Sequence, residues 1–202
     1  MQAHSPDRLA CALAQIDAAN QADPRLADWQ GQPQAQEWIY SQHMTRWLFV
    51  LEPAPNALLQ IACRAQHLER WSLPRSSYPD GRAAYYEWRQ ACGQMHGARA
   101  AEIMAGCGYS AADCERVAAI IGKCDLAHDA ATQALEDVAC LVFLERYFAD
   151  FYAQKPDYDA AQWLRIVRRT WDKMTPRGHA AALQLAGQLP AHLLALVQEA
   201  IA

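Results

Sequence analysis

Six arginines, Arg64, Arg70, Arg75, Arg82, Arg89 and Arg99, fall in a single stretch that also holds His67 and His96. An arginine fork grips phosphate or carboxylate oxygens in pairs, where a lysine offers a point charge. The bias runs through the chain: of 18 basic residues three are Lys (Lys123, Lys155 and Lys173) and 15 are Arg. A GC-rich genome gives the same bias. The clustering beside two histidines is what points to an anion pocket.

Spacing sorts these residues onto faces. In RAQHLERW, Arg64, His67 and Trp71 stand at i, i+3 and i+7, so a helix puts a guanidinium, an imidazole and an indole on one side. Arg82, Arg89 and His96 follow one another by seven and form a second stripe, with Tyr85, Tyr86 and Trp88 interleaved. A solvated stripe is the alternative, although such stripes usually mix Lys with Glu. Arg64, Arg75, Arg82 and Arg89 are the candidates to hold phosphate oxygens, with Tyr78, Tyr85 or Trp88 stacked on a base. The loop from Pro74 to Gly81 would rim the pocket. Arg75 and Tyr78 lead into the helix that carries Arg82, so its positive end faces the same space and favours an anion. Glu136-Asp137 opens the apolar run of ALEDVACLVFLE, and a carboxylate there needs a cation, a metal or several donors. An ion pair with an arginine would also satisfy it. His43, in YSQHMTRWLFVL, is a further candidate.

The elements that position them are helical from end to end. Ser5-Pro6 starts a helix to about residue 21, with Leu9, Leu13 and Ile16 on its apolar face. DPRLADWQGQPQ is expected as a loop. A second helix runs from about Gln34 to Leu51, burying Trp38, Ile39, Trp47, Leu48 and Leu51. A third covers about Asn56 to Trp71. SLPRSSYPDGR is the most turn-rich stretch, and a fourth helix follows from about Arg82 to Ala105. Ser110 with Asp113 opens a fifth, to about Lys123. The sixth, Ala131 to Gln154, is the apolar core element, and Asp157 to Met174 the seventh. Shorter helices close the chain, the last from near Pro190. Period-two alternation and hairpin signals are absent, so an all-α single domain over 1–202 is expected.

Composition bounds the partners. Hydrophobic residues are 52% and charged ones 20%, enough for a packed core. A net charge of −4 argues against a general nucleic-acid binder. No apolar run reaches the ~18 residues of a membrane span. MQAHSPDRLACALAQ lacks the layout of a signal peptide. Seven cysteines without a C-x-x-C pair suit buried thiols in a reducing cytoplasm better than a disulfide frame. Walker, G-x-G-x-x-G, H-E-x-x-H and G-x-S-x-G motifs are all missing.

Two resemblances add to this. HGARAAEIMAGCGYSAADCERVAAIIGK followed by ALEDVACLVFLE is similar to the central helices of the HD-domain superfamily, the all-helical metal-dependent phosphohydrolases, over about residues 35–150. More narrowly, RAQHLERWSLPRSSYPDGRAAYYEWR with LEDVACLVFLE and TWDKMTPRG resembles the domain-of-unknown-function 4202 family over nearly the whole chain. The HD resemblance implies an early His, a His-Asp pair and a late Asp. Here Leu68 follows His67 where that family has its Asp, Lys123-Cys124 replaces a further His, and Ala139 stands two residues after Asp137. What it implies is a one-metal site of His43, His67 and Asp137, with Glu69 or Glu136 assisting. Such ligands suit a divalent Mn, Fe, Ni or Mg ion.

The expected function is a phosphohydrolase acting on a nucleotide or other small phosphorylated compound. His67, His96 and Asp137 would converge as its catalytic group. The alternative is a non-catalytic anion- or nucleotide-binding or regulatory protein on a degenerate HD scaffold. A protein-interaction module with exposed Trp and Arg surfaces is a third. Neither a membrane nor nucleic acid is expected as a partner. The apolar segment LPAHLLALVQEAIA can dock on its own core or join a homodimer.

Overall fold

A computed structural model describes residues 6–185 and 189–201. Ser5, expected to cap the first helix, lies outside the described residues. The fold is all-α apart from one short hairpin, and the chain divides into two compact units, Met1–Leu135 and Glu136–Ala202.

In the first unit, α1 (Pro6–Gln21) leads into a hairpin of β1 (Leu26–Trp29) and β2 (Gln32–Ala35). This corrects the expected loop. Gln30 and Gly31 both have positive φ, 55° and 81°, the backbone of a two-residue turn whose twist matches paired strands. The strands are four residues each and largely exposed, too short for an alternating pattern to register. Then come α2 (Gln36–Leu51), α3 (Ala57–Arg64), α4 (Arg82–Gly106) and α5 (Ala111–Ile121). Ala35 cannot cap α2 with its side chain. The buried Asp23 carboxylate does so instead, accepting from the Glu37 N–H at 3.1 Å. Asn56 and Ser110 cap α3 and α5 directly.

The third helix stops seven residues earlier than expected. Residues 65–69 turn, Glu69 takes a left-handed conformation (φ 54°), and a 3-10 turn spans Arg70–Ser72. The Glu69 backbone N–H donates to Oδ1 of Asn20 at 3.2 Å, tying the turn to the end of α1. The core comprises Ile16, Met44, Leu48, Ile61, Leu68, Met104, Val117 and Ile120. α4 packs along α5, close enough that a Cβ on Gly97 would meet the Ala118 backbone oxygen at 3.1 Å. Cys11 of α1 and Cys107 after α4 form a disulfide, correcting the expectation of thiols only. Their separation of 96 residues gave no spacing signal; it is the packing of α1 on α4 that joins them. Cys63, Cys92, Cys114 and Cys140 are buried free thiols.

The division falls inside α6 (Ala130–Val142), after Leu135. Asp129 caps its first turn, accepting from the N–H groups of Ala131 and Thr132, and pairs with Arg116. In the second unit the expected long helix is interrupted by a π-turn at Phe143–Tyr147 before α7 (Phe148–Ala153). α8 (Ala160–Trp171) starts at an Asp159/Gln162 capping box, and α9 (Pro176–Gln184) and α10 (Ala191–Ile201) complete the unit. Phe148, Phe151, Tyr152 and Tyr158 gather around Trp163. α10 docks on α8, burying Leu193 and Val197, and Arg168 donates to the Ala200 carbonyl. No helix among the described residues is long and apolar enough to cross a membrane.

Candidate anion-binding site

The turn after α3 meets α4 and the end of α5 around a cavity of about 360 Å³ in the first unit. The turn supplies Gln66, His67 and Arg70; α4 supplies Arg89, Cys92 and His96 from one face; Lys123 follows the end of α5. Two non-glycine residues with left-handed backbones, Glu69 and Lys123, flank or line it. Holding such residues there costs ~1–3 kcal/mol each, an expense the surrounding packing sustains. Among the described residues no Asp or Glu lines the cavity, whereas Arg70, Arg89 and Lys123 bring three positive charges.

Both imidazoles are kept neutral. His96 is 2% exposed, and burial pushes its pKa down to about 4, with the Arg70 charge adding to the shift. His67 is pushed well below the ordinary value, first by lost hydration and then by Arg70, His96, Lys123 and Arg89. Its ring stacks on Tyr40 at 3.9 Å between centroids and lies 6.0 Å from that of His96. Behind it, Glu37 Oε2 is 3.4 Å from Nδ1. Glu37 is fixed in turn by Arg25, which also forks onto Asp23. Burial raises the Glu37 pKa while the Arg25 hydrogen bond pulls it back.

Of the residues that spacing suggested, His67, His96 and Arg89 meet at this cavity. The others are engaged elsewhere. Arg64 forks onto Asp17 at 2.7 and 2.6 Å and donates to Thr45, because α3 ends at Arg64 and no helix carries it onto the face of His67. Arg75 spends its donors on the carbonyls of Tyr78 and Pro79, closing its own loop. Tyr78 is half-buried in that loop. Arg82 is exposed, over the Tyr86 ring. Trp88 is buried, donates to the Leu73 carbonyl and carries Arg70 across its face at 4.6 Å, so it supports a cavity arginine and does not stack on a ligand. Tyr85 packs edge-on to Tyr86, on the exposed side. The cation-rich place is therefore the middle of α4, not its N-terminus. Arg70 and Lys123 were the residues that spacing missed; each lies in a turn with no periodic pattern to align it.

The comparison with family models is decisive on kinship: the chain matches Domain of unknown function (DUF4202) over residues 10–197. The chain belongs to that family. No curated protein and no solved structure matches it. In this DUF4202 chain several of the side chains that the HD resemblance implies as ligands are engaged within their own units. Leu68, at the place of the HD aspartate, is fully buried and apolar. His43 packs edge-on against Trp29 at 5.1 Å. Asp137 belongs to the second unit, where its carboxylate accepts from the N–H and hydroxyl of Thr175, the cap of α9. Glu136 there lies 3.4 Å from Lys173, and Glu69 pairs with Arg99. Among the described residues no three His, Cys, Asp or Glu side chains are grouped to hold a metal ion.

Proposed function

We propose that this chain binds a small phosphorylated or similarly charged molecule in the cavity between the post-α3 turn, α4 and the end of α5. One observation carries it: Arg70, Arg89 and Lys123 share a wall with two neutral imidazoles and no carboxylate. Cations clustered in a wall that no carboxylate lines are stabilised by an incoming anion, and the arginines can grip it in pairs. The volume is at the small end of ligand pockets, which favours a compact phosphoester over a whole nucleotide.

Phosphate should raise the melting temperature of the protein. At about 100 times Kd, binding stabilises by ~2.7 kcal/mol, which for a chain of this size is a rise of roughly 5–10 °C. Indifference to phosphate, sulfate and phosphomonoesters at millimolar levels would contradict the proposal.

Hydrolysis in the same cavity is a second reading, supported by the Glu37–His67 contact. A carboxylate at Nδ1 favours the tautomer whose Nε2 can accept a proton, the pairing used by general-base histidines. Turnover of a phosphomonoester panel, abolished in both His67→Gln and Glu37→Gln while phosphate binding persists, would support it. Turnover unchanged in His67→Gln would contradict it.

A further inference from the structure

His96 is one of the most enclosed polar side chains of the first unit, and its two ring nitrogens are treated differently. Nδ1 lies 2.6 Å from the backbone carbonyl oxygen of Leu68. A carbonyl can only accept, so a neutral ring must carry its proton on Nδ1 and donate it there. That leaves Nε2 as a bare lone pair. It is buried and makes no hydrogen bond among the described residues, and the side chain lines the cavity. Gln66, 6% exposed in the same wall, has its Oε1 in the same condition. Buried acceptors left without donors are costly and uncommon, and two in one wall of a small cavity point to a ligand. The Leu68 carbonyl is aimed at His96 by the turn that ends at left-handed Glu69, so the tautomer is set by the backbone.

From this we infer that the ligand carries a hydrogen-bond donor beside its anionic group, and that Nε2 of His96 receives it. This rests on the anion-binding role proposed above and narrows it to a chemical class. The three cations recognise negative oxygen, which any phosphate, sulfate or carboxylate supplies. The acceptors in the wall reject an anion that has only lone pairs to offer. The donor can sit on phosphorus, as the P–OH of hydrogen phosphate, or on carbon, as a hydroxyl next to a phosphoester. A site built around a hydrogen bond discriminates strongly against the analogue that lacks the donor, because its own buried group is then left unpaired.

Two matched pairs of probes test this by calorimetry on the full chain at neutral pH. Inorganic phosphate keeps a P–OH where sulfate has none, and glycerol phosphate keeps hydroxyls where propyl phosphate has none. The expected result is at least a tenfold tighter Kd for the donor-bearing member of one pair or both, the first pair locating the donor on phosphorus and the second on carbon. In His96→Phe the preference should fall to about twofold or less while sulfate binding remains. A nitrogen-15 spectrum should show Nδ1 protonated and Nε2 bare, with the Nε2 resonance moving on addition of the preferred anion; this reading does not depend on the variant folding. Measurable binding with parity in both pairs overturns the inference and leaves the anion site standing. Failure of the wild-type protein to bind any of the four overturns both.

Discussion

Acidification from about pH 7 to pH 5 charges His96 in the unfolded chain but not in the folded one. Its folded pKa is about 4, against 6.5 without the fold, because burial disfavours the imidazolium and Arg70 adds to the penalty. Between these values the unfolded state binds the extra proton, so stability rises with pH across the window and is lost as pH falls through 6.5 toward 4. One proton corresponds to ~1.4 kcal/mol per pH unit, so about 2 kcal/mol disappears by pH 5 from this residue. His67 acts in the same direction, and Glu37, raised by burial, acts against it. Asp23 and Asp129 are held low and lose their contribution only at more acid pH. Urea unfolding of wild type and His96→Phe at several pH values isolates the residue, since the other groups cancel in the difference. The slopes should differ by one proton between about pH 6 and pH 5. Parallel slopes, or an imidazole resonance of His96 titrating near pH 6.5 in the folded protein, would refute the reasoning.

Arg64→Met should destabilise the protein by ~1–3 kcal/mol in urea, through loss of the fork to Asp17, and leave phosphate affinity within about twofold. Gly97→Ala should cost ~1–3 kcal/mol, because its methyl would press on Ala118 at 3.1–3.3 Å and α4 would have to move off α5; thermal unfolding reads this. Asp137→Ala should lower the melting temperature, with a cost of ~1–3 kcal/mol, since the N–H and hydroxyl of Thr175 lose their acceptor.

Periodicity located α2, α4, α5 and α10 to within a few residues, since each has an apolar face and a legible stop or start such as Ser110 or Pro190. It failed at RAQHLERW. Every residue there is compatible with a helix, and neither glycine nor proline announces the left-handed turn at Glu69. That single turn moves His67 and Arg70 onto the cavity and leaves Arg64 behind on α3. The seven-residue step from Arg89 to His96 survived because α4 is continuous, whereas Arg82, one step earlier, runs past the cavity's edge. Lys123 stood out only as a departure from a histidine pattern; its role comes from the backbone turning after Ile121, which no spacing encodes.

Calorimetric titration of phosphate into wild type, Arg89→Gln and Arg82→Gln tests the anion site most directly. The two arginines share one helix and one sequence spacing, but Arg89 lines the cavity and Arg82 lies exposed over Tyr86. Arg89→Gln should weaken binding tenfold or more, with Arg82→Gln within about twofold of wild type. Equal effects of the two substitutions, or a larger effect of Arg82→Gln, would contradict the account.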